Sequence, residues 1–154
     1  IKERICNLLL TMRKIIFIGA VIFVCCLNAC HEKTVGYLIS ENASYEPDTL
    51  VVPRELGPVK DAIRIKNQSP WVSYAMQGYQ GTEQIMFSVE SVTSTAGEVE
   101  AQKFKDELQI RGGGGALEYP LEHKAGPGRY VVSVRLTNPG YSQVVEEAFT
   151  FILE

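Results

Sequence analysis

The sequence predicts an all-β chain whose short antiparallel strands fold as a β-sandwich, on three observations. Apolar and polar residues alternate with period two in several segments of residues 37–154, as expected of strands with one face in a core and one in water. Pro, Gly, Asn and Asp interrupt those segments at intervals of roughly 8 to 15 residues, which is the turn spacing of a sandwich. The four cysteines all fall by Cys30, so the rest of the chain must fold on packing and hydrogen bonds alone.

Taken in order, "TVGYLIS", "TLVVPRE" and "AIRIKNQ" read as strands rich in Val, Ile, Leu and Tyr. In "SPWVSYAMQGYQGT" a turn at Pro70 leads into a strand from Trp71, and Gly78 and Gly81 mark a further break. "EQIMFSVESVTS" sets Ile85, Phe87 and Val89 on one face. Residues 99–108 alone have helical spacing, with Phe104 and Leu108 at i, i+4 and Glu100 and Lys103 at i, i+3; a short helix there, or a loop entering a strand at Leu108 to Arg111, both fit. At the end of the chain Tyr130, Val132, Val134 and Leu136 share a face, as do Phe149, Phe151 and Leu153. A hairpin is predicted across Asn138-Pro139-Gly140, with a loop longer than two residues. Seven or eight strands are expected in all.

The first thirty residues read as an address. From Met12, two cationic side chains precede an apolar run from Ile15 to Leu27, and small or polar residues follow up to Cys30. That is the order of a secretory signal peptide, helical in its apolar core and too short to span a bilayer permanently. Residues 12–29 are read as this leader, 1–11 as a start-site artefact ahead of Met12, 30–36 as a tether and 37–154 as the β-domain. Leu27-Asn28-Ala29-Cys30 resembles the lipobox of bacterial lipoproteins. The resemblance implies cleavage before Cys30 and lipidation of that residue, with several acyl chains giving durable anchoring. Cys25 and Cys26 then read as small apolar fillers of the leader, since "CC…C" lacks the paired spacing that zinc requires.

The ending "GPGRYVVSVRLTN" resembles the penultimate strand of immunoglobulin-like and cadherin-like bacterial domains, with Tyr130 where a tyrosine corner can form. The whole layout resembles small lipoproteins of Bacteroidota, in which an immunoglobulin-like domain follows a lipobox and a brief tether. This implies the cell envelope, with the outer membrane first, and a membrane partner through the N-terminal lipid.

Motifs for chemistry are sparse. "RGGGGALEYP" lacks the Lys-Ser or Lys-Thr and the following helix of a phosphate loop, so a glycine-rich turn between strands is expected. His31 and His123 have no partners at metal-ligand or triad spacing, so no metal, no cofactor and no catalytic residues are assigned. A net charge of −3, and about −6 beyond Cys30, argues against nucleic acid, which needs clustered cations against phosphate. Trp71, Tyr74 and Tyr79 are the candidate ligand-binding residues, because large rigid aromatics beside Pro and Gly turns serve binding surfaces. Burial of Trp71 in the core with Tyr74 at an edge is the competing account, and Tyr79, between two glycines, is expected to be the more exposed. The function expected is a membrane-anchored, non-catalytic binding module with polysaccharide as leading ligand. A structural or assembly component, pairing through strand edges with an outer-membrane protein, is the alternative.

Overall fold

The computed structural model describes residues 36–154 together with Arg4, Met12–Lys14 and Ile16. The leader's apolar run apart from Ile16, the four cysteines, the lipidation position Cys30 and His31 lie outside the described residues. The chain divides into two compact units, Ile1–Thr34 and Val35–Glu154, and every strand among the described residues belongs to the second. Among the described residues no helix is long and apolar enough to cross a membrane.

Among its described residues this second unit is mostly β, with nine strands and two helices in the order β1 (Leu38–Ile39), β2 (Thr49–Val52), α1 (Ala62–Asn67), β3 (Trp71–Val72), β4 (Gln80–Gly81), β5 (Met86–Ser94), α2 (Glu98–Glu107), β6 (Gln109–Ile110), β7 (Leu117–Tyr119), β8 (Gly128–Asn138) and β9 (Tyr141–Leu153). A four-stranded sheet runs β2-β9-β8-β5, a three-stranded sheet β3-β7-β6, and β1 pairs with β4. All pairings are antiparallel except β2 against β9, which is parallel.

The β8–β9 hairpin is the longest pairing, and its alternation does what the sequence predicts. Tyr130, Val132, Val134 and Leu136 are fully buried, and Phe149, Phe151 and Leu153 nearly so. Its turn is tighter than expected: Asn138 pairs with Tyr141, leaving only Pro139 and Gly140 between the strands. Gly140 takes φ 109°, and that left-handed residue lets the chain reverse in two residues. The hairpin carries a bulge where Val132 pairs with Phe149 but Val134 with Val145; Glu147 donates its backbone N–H to the Ser133 hydroxyl at 3.1 Å there.

Residues from both sheets share one apolar core, which takes Leu117 and Tyr119 from β7, the hairpin residues just named, and Phe104 from α2. Helix α2 forms at the stretch with helical spacing and is followed at once by β6, so the two alternatives there occur in succession. Phe104 and Leu108 are both buried. The "AIRIKNQ" stretch, expected to be a strand, is helix α1. Its Ile63 and Ile65 alternate without an inner face to fill: α1 buries none of its residues, and Ile63 is 77% exposed. Local bonds set the helical turn instead, with Asp61 N–H donating to the Gly57 carbonyl and Ile65 N–H to the Asp61 carbonyl.

The glycine run forms the turn between β6 and β7 and folds inward. Gly115 has φ 67°, and a Cβ built there would lie 2.5 Å from Cδ1 of Phe87. Its carbonyl accepts the buried Tyr45 hydroxyl at 2.5 Å, and the Gly114 carbonyl accepts Met76 N–H at 2.8 Å. The turn thus docks on both its neighbours through backbone that only glycine can place. At the start of β8, the Tyr130 hydroxyl donates to the Gly126 carbonyl at 2.6 Å, four residues upstream.

These contacts set two stability tests. Gly115→Ala should destabilise by more than about 2 kcal/mol, because left-handed strain and a clash with Phe87 add; Gly113→Ala, where φ is 80° but no atom lies within 4 Å, should cost about 1 kcal/mol. Tyr130→Phe should cost about 1 kcal/mol through loss of the hydroxyl bond. Urea unfolding of the variants measures all three, and equal costs at Gly113 and Gly115 would remove the packing explanation.

Candidate functional site

The outer face of the three-stranded sheet collects the polar side chains that a ligand could use. Val72 and Gln109 both pair with Glu118, so these three form one row across β3, β7 and β6. Their neighbours Tyr119 and Leu117 are fully buried, which turns the row toward solvent by the pleat. Ser73 N–H donates to the Leu117 carbonyl at 2.9 Å and the Ser73 hydroxyl accepts Leu117 N–H at 2.9 Å, extending the pairing one residue past β3. Tyr74, the next residue, is 68% exposed. Arg111 is ion-paired to Glu118.

A cleft of about 330 Å³ adjoins this face, lined by Gln68, Gln109, Glu118 and Glu122, with Pro70 and Pro120 as apolar walls and Glu107 at its side. Amide and carboxylate groups of this kind bind hydroxyls as donors and acceptors. A larger depression of about 650 Å³ is bounded by Arg54, the loop of residues 121–127 and the chain end at Leu153 and Glu154. Among the described residues, His123 is its one aromatic side chain, and its Nδ1 lies 3.2 Å from the Ala125 carbonyl. Among the described residues, no group of three or more His, Cys, Asp or Glu side chains converges as a metal would require.

Helix α2 holds the loop that closes this region. Glu100, Phe104 and Glu107 fall at i, i+4 and i+7 and so share one face. Phe104 stacks at 4.3 Å on Tyr119 and at 4.5 Å on Tyr130. On either side of it, Glu100 accepts Gly126 N–H at 2.7 Å, and Glu107 accepts Lys124 N–H at 3.0 Å and the Tyr119 hydroxyl at 3.2 Å. The predicted Glu100–Lys103 pair forms at 2.6 Å. That lysine, and secondarily the Gly126 N–H, holds the Glu100 carboxyl below the usual carboxylate value of 4.5. Burial, with the charge of Glu107 second, pushes the Tyr119 hydroxyl above its ordinary range.

The three aromatic candidates separate. Trp71 is half-buried against the core, and the Arg64 guanidinium lies 3.9 Å over its ring. Arg64 is itself held by the Pro70 carbonyl at 2.8 Å, so that ring face is covered. Tyr79, expected to be the more exposed, is also half-buried and meets Phe87 edge-on at 5.2 Å. The reason is Gly78: at φ 77° it brings the chain so close to Asn42 that a Cβ would sit 2.0 Å from its carbonyl oxygen, and the bend returns Tyr79 to the core. Tyr74 alone of the three is open to solvent. Gln68, Gln109, Glu118 and Glu122 had no signal in the sequence, because strand pairing brings them together from positions far apart.

The depressed carboxyls set a pH dependence. Glu100, and Glu90 with its two bonds from Arg135, have folded values below their unfolded ones. Their stabilisation is therefore present above about 4.5 and is lost as pH falls through the lower folded values. Thermal unfolding should show Tm dropping below about pH 4.5, and Glu100→Gln should shallow that drop; an unchanged profile in the variant would release Glu100 from this role.

No family model, no curated protein and no solved structure matches this chain.

Proposed function

We propose that residues 36–154 are a non-catalytic binding module of the immunoglobulin-like sandwich class, held at the bacterial cell envelope by lipid on Cys30. The sandwich class is supported by strand order. β3, β7 and β6 stand in the places of strands B, E and D, and β5, β8 and β9 in those of C, F and G. The parallel β2 lies beside the last strand, and the Tyr130 hydroxyl bond to Gly126 has the form of a tyrosine corner. The envelope location rests on the leader and lipobox sequence, which resemble those of Bacteroidota outer-membrane lipoproteins.

The observation that carries the ligand assignment is the cleft walled by amides, carboxylates and prolines, with the solvent-exposed Tyr74 four residues along the chain from its wall at Pro70. An aromatic ring offers a face to the C–H edge of a sugar while the flanking polar groups take its hydroxyls. Among the described residues three carboxylates line the cleft and no cation does, so neutral polysaccharide fits better than uronic or sulfated chains.

Affinity electrophoresis of the protein through gels containing neutral polysaccharides tests this. Retardation is expected with at least one neutral glycan, weakened about tenfold or more by Tyr74→Ala. Unchanged mobility across a broad panel would remove the glycan assignment.

A further inference from the structure

We infer that the turn of residues 57–67, centred on α1, docks on an anionic phospholipid surface. The two most exposed apolar side chains here are Val59, 90% exposed, and Ile63, 77%, with Ile65 less so at 37%. The bond from Asp61 N–H to the Gly57 carbonyl closes a turn over residues 57–61 that leads directly into α1. Within α1, at about 100° per residue, Ala62, Ile63 and Lys66 fall within one arc of about 100°, and Val59 and Lys60 stand exposed in the turn just before the helix.

Charge selects the occupant. Lys60 and Lys66 flank the apolar pair, and both are exposed. The acid in the turn, Asp61, is half-buried and its carboxylate is taken up by Gly57 N–H at 2.9 Å. This cationic, apolar face belongs to a chain that carries a net −6 beyond Cys30, so its sign is set against its surroundings. Val59 and Ile63 can enter the boundary between headgroups and acyl chains while the lysines reach phosphate, which is how interfacial helices bind. Two apolar side chains are too few for a protein interface, which needs about 800 Å² from each partner. A face this small binds weakly alone and is effective when the chain is already held at the membrane, which rests on the anchor reading above.

The Arg64 contact gives the docked face a fixed orientation. Arg64 leaves the opposite side of α1 to lie over Trp71 and bond the Pro70 carbonyl. The turn is thereby fixed to β3, beside the cleft wall at Pro70 and Gln68.

The test uses the full chain in lipid nanodiscs of phosphatidylethanolamine and phosphatidylglycerol carrying a headgroup spin label, read by paramagnetic broadening of backbone amides. Amides of residues 59–66 should broaden strongly and those of Gly113 and Ser91 should not. Val59→Ser with Ile63→Ser, and separately Lys60→Glu with Lys66→Glu, should each lower the docked population about tenfold or more. Replacing phosphatidylglycerol by phosphatidylcholine, or raising the salt, should act in the same direction. Equal broadening at Gly113, no effect of either variant, or a chain that stays outside the discs would overturn the inference. Mass analysis of Cys30 from cells is a separate readout: an unacylated Cys30 defeats the anchor reading and leaves the disc result standing.

Discussion

The Phe104 ring is the contact on which the rest of this structure depends. It lies 4.3 Å from Tyr119 of the three-stranded sheet, 4.5 Å from Tyr130 and 5.2 Å from Phe151 of the four-stranded one. A single helical residue therefore packs against both sheets at once. Truncating such a ring leaves a void that neither sheet can close without moving the other, which is why large-to-small changes at this kind of position cost about 3–5 kcal/mol. Glu100 and Glu107 flank the ring on the same helix face, so the packing that buries Phe104 also delivers two carboxylates to the backbone of the 121–127 loop. Core and loop are consequently one cooperative unit.

The cleft inherits its shape from that unit. Leu121 and Glu122 form part of its wall and belong to the loop that α2 holds, while Gln109 and Glu118 belong to strands fixed by pairing. Glu118 is engaged by Arg111, and Glu107 is engaged by Lys124 and Tyr119. Side chains already fixed by such bonds lose less freedom when a ligand arrives.

Much of the fold was legible in the sequence because alternation reports burial directly. β5, β8 and β9 appear where period-two patterns stand, and the tyrosine at the start of β8 makes the bond its position implied. Alternation misled at Ile63 and Ile65, where two β-branched residues spaced by one sit on a helix held by Asp61, Arg64 and their bonds. It could not rank the aromatic candidates either. Whether Trp71, Tyr74 or Tyr79 is open depends on Arg64 over one ring and Phe87 against another, contacts made between separate segments of the fold. The cleft itself joins positions from Gln68 to Glu122, a relation that only the sheet pairing creates.

The edge strand β5 has a bulge between Val89 and Ser91, and Lys105 of α2 bonds the Glu90 carbonyl at that point at 2.8 Å. A ladder shared between neighbouring molecules needs an unbroken row of backbone groups, and this edge interrupts the row and places a cation beside it. The interruption at Glu90 therefore works against edge-to-edge pairing along β5, because the bulge breaks the register and the Glu90 carbonyl is already bonded within the molecule.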